Sequence, residues 1–217
     1  DMDAIKDKVM RGLSVPAGII TAPGVNGHTA ERDQRLAYDP ELSKKLLAEA
    51  GYPDGFELTL DCPNDRYIND EAICVAAISM FAKIGVTVNL DAKTKSQHFS
   101  EVKEGDANGM TSDMYMLGWG VPTFDSHYVY SYLFESSGSW NKVNFSNARV
   151  DELVASMGVE TDMDKRNAMI AEAWDITQDD VTYLPLHHQV VNQAALSNVD
   201  VPIRMNNEPL FRFANVN

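Results

Sequence analysis

The sequence predicts an α/β fold with a mixed, largely parallel sheet flanked by helices. Residues 56–60 and 86–90 alternate apolar and polar side chains with the period of a β-strand. Between them lies a helical pattern that begins at Asn69 or Asp70 and ends at Gly85. Its apolar face consists of Ile73, Ala77, Met80, Phe81 and Ile84. Strand, helix and strand with short connections form a βαβ unit, so the two strands should be parallel.

Two helices are predicted before this unit. Residues 1–12 are charged and amphipathic, which indicates that the chain begins inside a helix. The second helix starts at Asp39, Pro40 and Glu41. Asp can cap free N–H groups, Pro suits the first helical position and Glu complements the helix dipole. We expect this helix to stop at Gly51.

Five elements are predicted after the βαβ unit, and nothing divides them into separate domains. The second of the two late helices is introduced by a capping pattern, Thr161 followed by Asp164. No internal repeat, low-complexity tract or linker is present, so residues 1–217 should form one domain. The elements are a strand at residues 114–118, helices at residues 147–157 and 162–179, and strands at residues 183–190 and 210–214.

The acidic composition excludes one class of partner. Lys and Arg number 18 against 32 Asp and Glu, a formal charge of -14. A nucleic acid would meet net repulsion where its binding proteins offer a basic surface, so we expect no nucleic-acid partner. No apolar run approaches the roughly 20 residues that span a bilayer. No signal-peptide pattern is present either, so we expect the natural start to be missing.

The two cysteines, Cys62 and Cys74, are too few for a disulfide scaffold and lack the spacing of metal ligands. A single bridge is open to them in an oxidising compartment. Cys62 falls at a strand end and Cys74 in the second turn of the next helix, which favours a separation beyond disulfide geometry. We therefore expect two separate thiols.

The sequence contains no motif of the common enzyme classes. There is no Gly-x-Ser-x-Gly elbow, Walker A loop, His-Glu-x-x-His or Gly-x-Gly-x-x-Gly. The pair His187 and His188 is the sharpest candidate for catalysis, but adjacent strand residues point to opposite faces. The pair therefore cannot chelate one metal together. We predict no catalytic residue, no metal site and no cofactor.

Two loops are candidates for ligand recognition, because each follows the carboxyl end of a predicted strand. One spans residues 63–69 and has Arg66 as its only cation; the other spans residues 119–125 and is rich in Gly, Pro and aromatic residues. Parallel strands would open both loops on the same side. In the alternative, Arg66 pairs with Asp65 or Asp70 and Trp119 packs as core. The candidate ligand-binding residues are Asp65, Arg66, Asn69, Gly118, Trp119, Gly120, Phe124 and Asp125.

Residues 38–56 resemble the hallmark stretch of family 5 extracellular solute-binding proteins. These proteins are the dipeptide, oligopeptide and nickel receptors of bacterial ABC importers. The resemblance covers essentially the whole chain. It continues through Lys83-Ile84-Gly85-Val86, Gly118-Trp119, residues 144–153 and Leu184-Pro185-Leu186.

The resemblance implies an architecture and a location. Such proteins are longer, periplasmic and two-lobed, with the ligand enclosed between lobes of periplasmic-binding-protein type II architecture. This chain resembles only the second large lobe, and residues from about 199 to 217 would return toward the absent lobe. The signal and the first lobe would lie outside this chain. The implied partners are a small organic solute or peptide, the ABC permease in the membrane and the absent lobe.

The resemblance also assigns roles within the two loops. In dipeptide receptors an arginine receives the peptide carboxylate, and Arg66 matches that position, while Trp119 matches the tryptophan of the Gly-Trp loop. The aspartate that receives the peptide amine follows that tryptophan by three residues, where this sequence has Pro122. Asp125 matches a later acidic position. A carboxylate-bearing solute is therefore implied more firmly than a dipeptide.

The preferred interpretation is a non-enzymatic, solute-binding component of an ABC importer. Three alternatives stay open. The chain could be a small α/β enzyme that uses His187 or His188, a nickel or metal-complex receptor of the same family, or a scaffold that only contacts a permease.

Overall fold

The computed structural model describes residues 1–104, 112–204, 206 and 208–216. The helices are α1 (Met2–Ala4), α2 (Pro40–Glu49), α3 (Asp70–Phe81), α4 (Lys95–Glu104), α5 (Ser126–Val129), α6 (Ala148–Met157) and α7 (Met163–Asp180). The strands are β1 (Ser14–Pro16), β2 (Glu57–Pro63), β3 (Thr87–Lys93), β4 (Met114–Tyr115), β5 (His187–Gln189), β6 (Val199–Asp200) and β7 (Asn215–Val216). Among the described residues, no helix has both the length and the apolar character needed to cross a membrane.

The central sheet has three parallel strands in the order β3-β2-β4. Leu58 lies opposite Val88 in the β2–β3 pair, and Leu60 lies opposite Met114 in the β2–β4 pair. Two small antiparallel pairs, β1–β5 and β6–β7, stand apart from this sheet. The predicted α/β class with a mixed, largely parallel sheet is confirmed, and so is the parallel pairing of the βαβ unit.

Helix α3 connects β2 to β3 and buries Ile73 against the N-terminal helix. It begins after Asn69 and ends through a 3-10 turn (Ala82–Ile84) that closes at Gly85. The turn before β2, which contains Gly55, lies against Gly85 at the end of this helix. A Cβ atom on Gly55 would lie 1.9 Å from the carbonyl oxygen of Gly85, and Gly55 has a φ of 77°, so only glycine fits there.

A second core lies between α5, α6 and α7. A π-helical turn (Tyr130–Phe134) extends α5 and contributes the fully buried Tyr130, which packs edge-on against Trp174 of α7. The predicted helices at residues 147–157 and 162–179 are confirmed. Asn147 caps α6, and the cap of α7 is Asp162 and not the predicted Thr161.

Several other elements differ from prediction. Strand β4 is shorter than residues 114–118, β5 is shorter than residues 183–190, and the strand predicted at 210–214 is wrong, because a 3-10 turn (Phe211–Phe213) occupies it. Helix α4 was not predicted because it lacks a continuous apolar stripe. Helix α5 was not predicted because its aromatic and β-branched residues are typical of strands.

The expectation of two separate thiols is wrong, because Cys62 and Cys74 form a disulfide. Their Cα atoms are 6.7 Å apart, which is within the range that a disulfide spans. Cys62 Sγ lies 3.7 Å from the carbonyl oxygen of Asp70, the first residue of α3, so the start of the helix lies closer to the end of β2 than the sequence indicated. Met116 covers the bridge, with its sulfur 3.8 Å from Cys62 Sγ and 3.6 Å from Cys74 Sγ.

Candidate functional site

The two predicted recognition loops meet at Tyr67. They leave the carboxyl ends of β2 and β4, which are parallel neighbours in the sheet. The Tyr67 hydroxyl donates to the Gly118 carbonyl oxygen at 3.4 Å. A Cβ atom on Gly118 would lie 2.5 Å from Tyr67 Cε1, so the ring packs directly on this glycine. The convergence of the loops on one side of the sheet is confirmed.

Arg66 carries an exposed guanidinium that no acid of the described chain neutralises. The alternative pairing with Asp65 or Asp70 does not occur. Asp70 Oδ2 instead accepts from the backbone amides of Arg66 and Tyr67, both at 2.9 Å. The guanidinium carbon lies 4.8 Å from the centre of the Tyr67 ring, a cation–π contact that orients the side chain.

Asp65 and Asn69 hold the loop in shape. Asp65 Oδ1 accepts from the backbone amide of Lys95 at 2.5 Å, which ties the loop to the start of α4. Asn69 adopts a left-handed conformation with a φ of 58°, and its side-chain amide donates to the Val9 carbonyl at 3.0 Å. These contacts place both residues beside Arg66 as supports of the loop.

Trp119 lies at the centre of an aromatic cluster at the edge of the second core. Its ring centre is 5.8 Å from that of Tyr128, 6.1 Å from Tyr132 and 5.9 Å from Trp140. The indole is half-buried, and its Nε1 has no hydrogen-bond partner within the described part of the chain. The indole N–H is enclosed by the protein, and a buried donor without a partner is costly. Gly120 beside it is exposed.

Asp125 is fully engaged by the protein. Its carboxylate accepts from both terminal nitrogens of Arg166, at 2.5 and 2.8 Å, and from the side-chain amide of Asn26 at 2.9 Å. It also caps α5 through the backbone amide of His127. Burial raises the pKa of Asp125, but Arg166, Asn26 and the His127 amide together lower it below its ordinary value. Phe124, with a φ of 53°, turns the chain into this cap.

We expect Asp125→Asn to lower the free energy of unfolding by about 2–3 kcal/mol, because a largely enclosed Arg166 loses its partner. The folded-state pKa of Asp125 is depressed, so its contribution is present above about pH 4 and disappears as pH falls through the folded pKa. Urea denaturation at neutral and acidic pH measures both effects. Asp164→Asn, at an exposed acid of α7, is the control. Equal losses in the two variants would contradict the structural role of Asp125.

A shallow cavity of about 330 Å³ lies beside the aromatic cluster, and its lining includes Tyr128, Tyr132 and Asp125. Ser131 and His127 also line it, and the Ser131 hydroxyl lies 3.4 Å from each ring nitrogen of His127. The Ser131 hydroxyl donates to the His127 carbonyl at 2.8 Å, and Asp125 contacts the backbone of His127, not its ring.

The strand histidines separate, as the alternation of a strand requires. His188 Nε2 lies 3.1 Å from Asp33 Oδ2, which His28 Nε2 also contacts at 3.1 Å. His187 is half-buried, and its Nδ1 has no hydrogen-bond partner among the described residues. Burial and the neighbouring His188 lower the pKa of His187. Sequence reasoning missed His28 and Asp33, because both are more than 150 residues from His188.

The aromatic partners of Trp119 and the role of Tyr67 were also not predicted from the sequence. Tyr128 and Tyr132 are spaced four residues apart, which on a helix places both on one face. That spacing was the available signal, but it required the helix at residues 126–134 to be recognised first.

Solved structures that share this fold include a periplasmic binding protein, DppA from Helicobacter pylori. HbpA2 from Haemophilus parasuis superposes with a TM-score of 0.82 at 21% identity, over 100% of this chain and 43% of that one. A dipeptide-binding protein from Pseudoalteromonas, in complex with Met-Leu, gives a TM-score of 0.81 at 22% identity with the same coverages. These similarities establish the fold.

The family follows from the sequence comparisons. The model of the bacterial extracellular solute-binding proteins, family 5, matches residues 1–141, and the chain belongs to this family. The heme-binding protein A of Haemophilus influenzae is 31% identical over 195 residues, 88% of this chain and 35% of that protein. The glutathione-binding protein GsiB of Salmonella typhimurium is 28% identical over 179 residues, 81% of this chain and 34% of that protein. The chain spans about a third of the length of these relatives.

Proposed function

We propose that this chain is the ligand-binding lobe of a solute-binding protein that serves a bacterial ABC importer and receives a carboxylate-bearing organic solute. The observation that carries the proposal is the exposed guanidinium of Arg66, which no acid of the described chain neutralises. It lies on the loop that Tyr67 joins to Gly118 and Trp119. The solute would be enclosed between this lobe and a second one.

The chemistry of the two loops suits one kind of ligand. A guanidinium offers two parallel N–H donors in the geometry of a carboxylate, and the Tyr67 ring limits its movement. The half-buried Trp119 would cover an apolar or ring portion of the solute. Exposed Gly120, with open space where a Cβ atom would lie, lets the ligand approach the backbone, while Gly118 accommodates the Tyr67 ring. Phe124 would border the same site, and Asp125 would hold the loop.

The relatives support a carboxylate-bearing solute without naming it. The ligands named for three similar proteins are glutathione, Met-Leu and heme, and each of them carries a carboxylate. Pro122 stands where the resemblance places an acidic receptor for a peptide amine, and proline carries no charge. The ligand of this protein therefore needs no free amine at that position.

The natural solute can be identified by native mass spectrometry of the full-length protein purified without refolding, and its affinity measured by calorimetry. We expect Arg66→Ala to weaken binding at least about tenfold, because a charge-assisted contact of roughly 1.5–3 kcal/mol is lost. Arg66→Lys should recover only part of the affinity, because lysine keeps the charge without the two-pronged geometry.

Arg149→Ala is the matched control, since Arg149 is an exposed arginine already paired with Glu172. The affinity of the Arg149→Ala protein for the solute should equal that of the parent protein. Unchanged affinity in Arg66→Ala, or equal losses in both variants, would reject the assignment of Arg66.

A role in import adds a partner and a location to this proposal. The partner would be the ABC permease, and the location would be the periplasm. The disulfide between Cys62 and Cys74 supports an exported protein, because disulfides persist in oxidising compartments. Deleting the gene should abolish uptake of the identified solute, and the purified protein should return that solute unchanged. Chemical turnover of the bound solute would favour the enzyme alternative.

A further inference from the structure

We propose that His28, Asp33 and His188 form a binding site for one divalent transition-metal ion, separate from the loops of Arg66 and Trp119. Their ligand atoms all lie within 4.8 Å of one another, in a combination of two imidazoles and one carboxylate. This donor set suits Zn²⁺, Ni²⁺ or Cu²⁺ better than Mg²⁺ or Ca²⁺, which prefer oxygen ligands.

Two of the three distances between the ligand atoms are close to those around a tetrahedral ion, and the third is at most 4.8 Å. Both Nε2 atoms lie 3.1 Å from Asp33 Oδ2. Ligands at about 2.0–2.1 Å from a tetrahedral zinc are roughly 3.3 Å apart, so small shifts of the imidazoles would accommodate the ion. The two Nε2 atoms would exchange their contacts with Oδ2 for bonds to the metal. Three protein ligands would leave a fourth position for water or a solute group.

The carboxylate is held in place before any metal binds. Asp33 Oδ1 accepts from the backbone amides of Gly18 at 2.6 Å and Ile19 at 3.2 Å, which leaves Oδ2 directed at the imidazoles. Such outer contacts orient metal ligands in known sites. A Cβ atom on Gly18 would lie 2.6 Å from the Gln34 carbonyl oxygen, so the chain packs tightly around this aspartate.

The ligands come from two distant parts of the chain that the fold fixes separately. His188 lies on β5 opposite Val15 of β1. His28 is the last residue of a turn that its backbone amide closes by donating to the Val25 carbonyl oxygen at 3.0 Å. The side chains of His28, Asp33 and His188 are 13%, 12% and 12% exposed, so the cluster is enclosed but open to solvent. The strongly acidic chain would also concentrate cations near it.

Zinc titration of the full-length protein, after removal of metals by a chelator, tests the proposal. We expect calorimetry to show stoichiometric uptake, and His188→Ala to lose one equivalent or at least about tenfold in affinity. His187→Ala is the matched control, because its side chain lies on the other side of the same strand and should leave uptake unchanged. Identical isotherms for the parent and His188→Ala would overturn the proposal, and so would equal losses in the two variants.

A second variant separates loss of the site from loss of the fold. His28→Gln changes a loop residue outside the β1–β5 ladder and should lose the same equivalent of zinc, while circular dichroism confirms that the protein is folded. Full zinc uptake by folded His28→Gln would reject the site. This readout does not depend on the organic solute, so failure of the zinc site and failure of the Arg66 assignment are distinguishable.

Discussion

Asp61→Ala is expected to lower the free energy of unfolding by about 3–5 kcal/mol, because it breaks a buried charge cluster. Asp61 and His98 are fully buried, and His98 Nδ1 lies 2.8 Å from Asp61 Oδ1. The Lys93 side chain is only 8% exposed, and its Nζ is 3.4 Å from the other oxygen of Asp61. Burial lowers the pKa of Lys93, but Asp91, Glu101 and Asp61 raise it above its ordinary value, so the ammonium stays charged.

The matched control is Asp91→Ala. Asp91 contacts the same ammonium at 2.7 Å, but its side chain is 52% exposed, so its loss should cost at most about 1 kcal/mol. Urea denaturation of both variants measures the difference. Similar losses would show that burial of the Asp61–His98 contact does not decide its contribution to stability.

The same cluster supports the recognition loop. Asp61 lies near the end of β2, and the backbone amide of Asn64, the first residue after that strand, donates to the Lys93 carbonyl at 2.9 Å. We therefore expect folded Asp61→Ala protein to bind the organic solute more weakly than Asp91→Ala, although neither side chain belongs to the loop.

Much of the fold could be predicted because its signals are local. The cap at Asp39, the alternation at residues 56–60 and the glycine at Gly85 act within a few residues of the elements that they define. Parallel pairing followed from the order of these elements. Helix α5 was missed because its residue types favour a strand, and because its cap, Asp125, is held in place by Arg166 from a distant helix.

The candidate site was predicted only in part for the same reason. Arg66 and Trp119 stood out as the cation and the large aromatic residue of loops at strand ends. Asp70 accepts hydrogen bonds from two backbone amides and leaves the Arg66 guanidinium unpaired. This arrangement depends on how the loop folds. His28 and Asp33 reach His188 only through tertiary structure, so no spacing in the sequence indicates their contact.

Removing the disulfide is expected to destabilise the protein by about 3 kcal/mol. The bridge joins residues 12 apart in sequence, and the entropy cost of closing a loop of this size is on that order. A Cys62→Ala, Cys74→Ala double variant should therefore unfold at lower urea concentration than the oxidised parent. The parent protein in reductant is the control for lost packing, since it keeps both sulfur atoms.

This loss should also reach the ligand, because the residues enclosed by the bridge include Arg66. With the bridge intact, the loop is tied at Cys62 to the end of β2 and at Cys74 to α3. Without it, ligand binding would have to order a more mobile loop, so the affinity of the reduced protein for its solute should fall while Arg66 is unchanged. Calorimetry in oxidising and reducing buffer measures this directly. Equal affinities would mean that the amides held by Asp70 fix the loop without help from the disulfide.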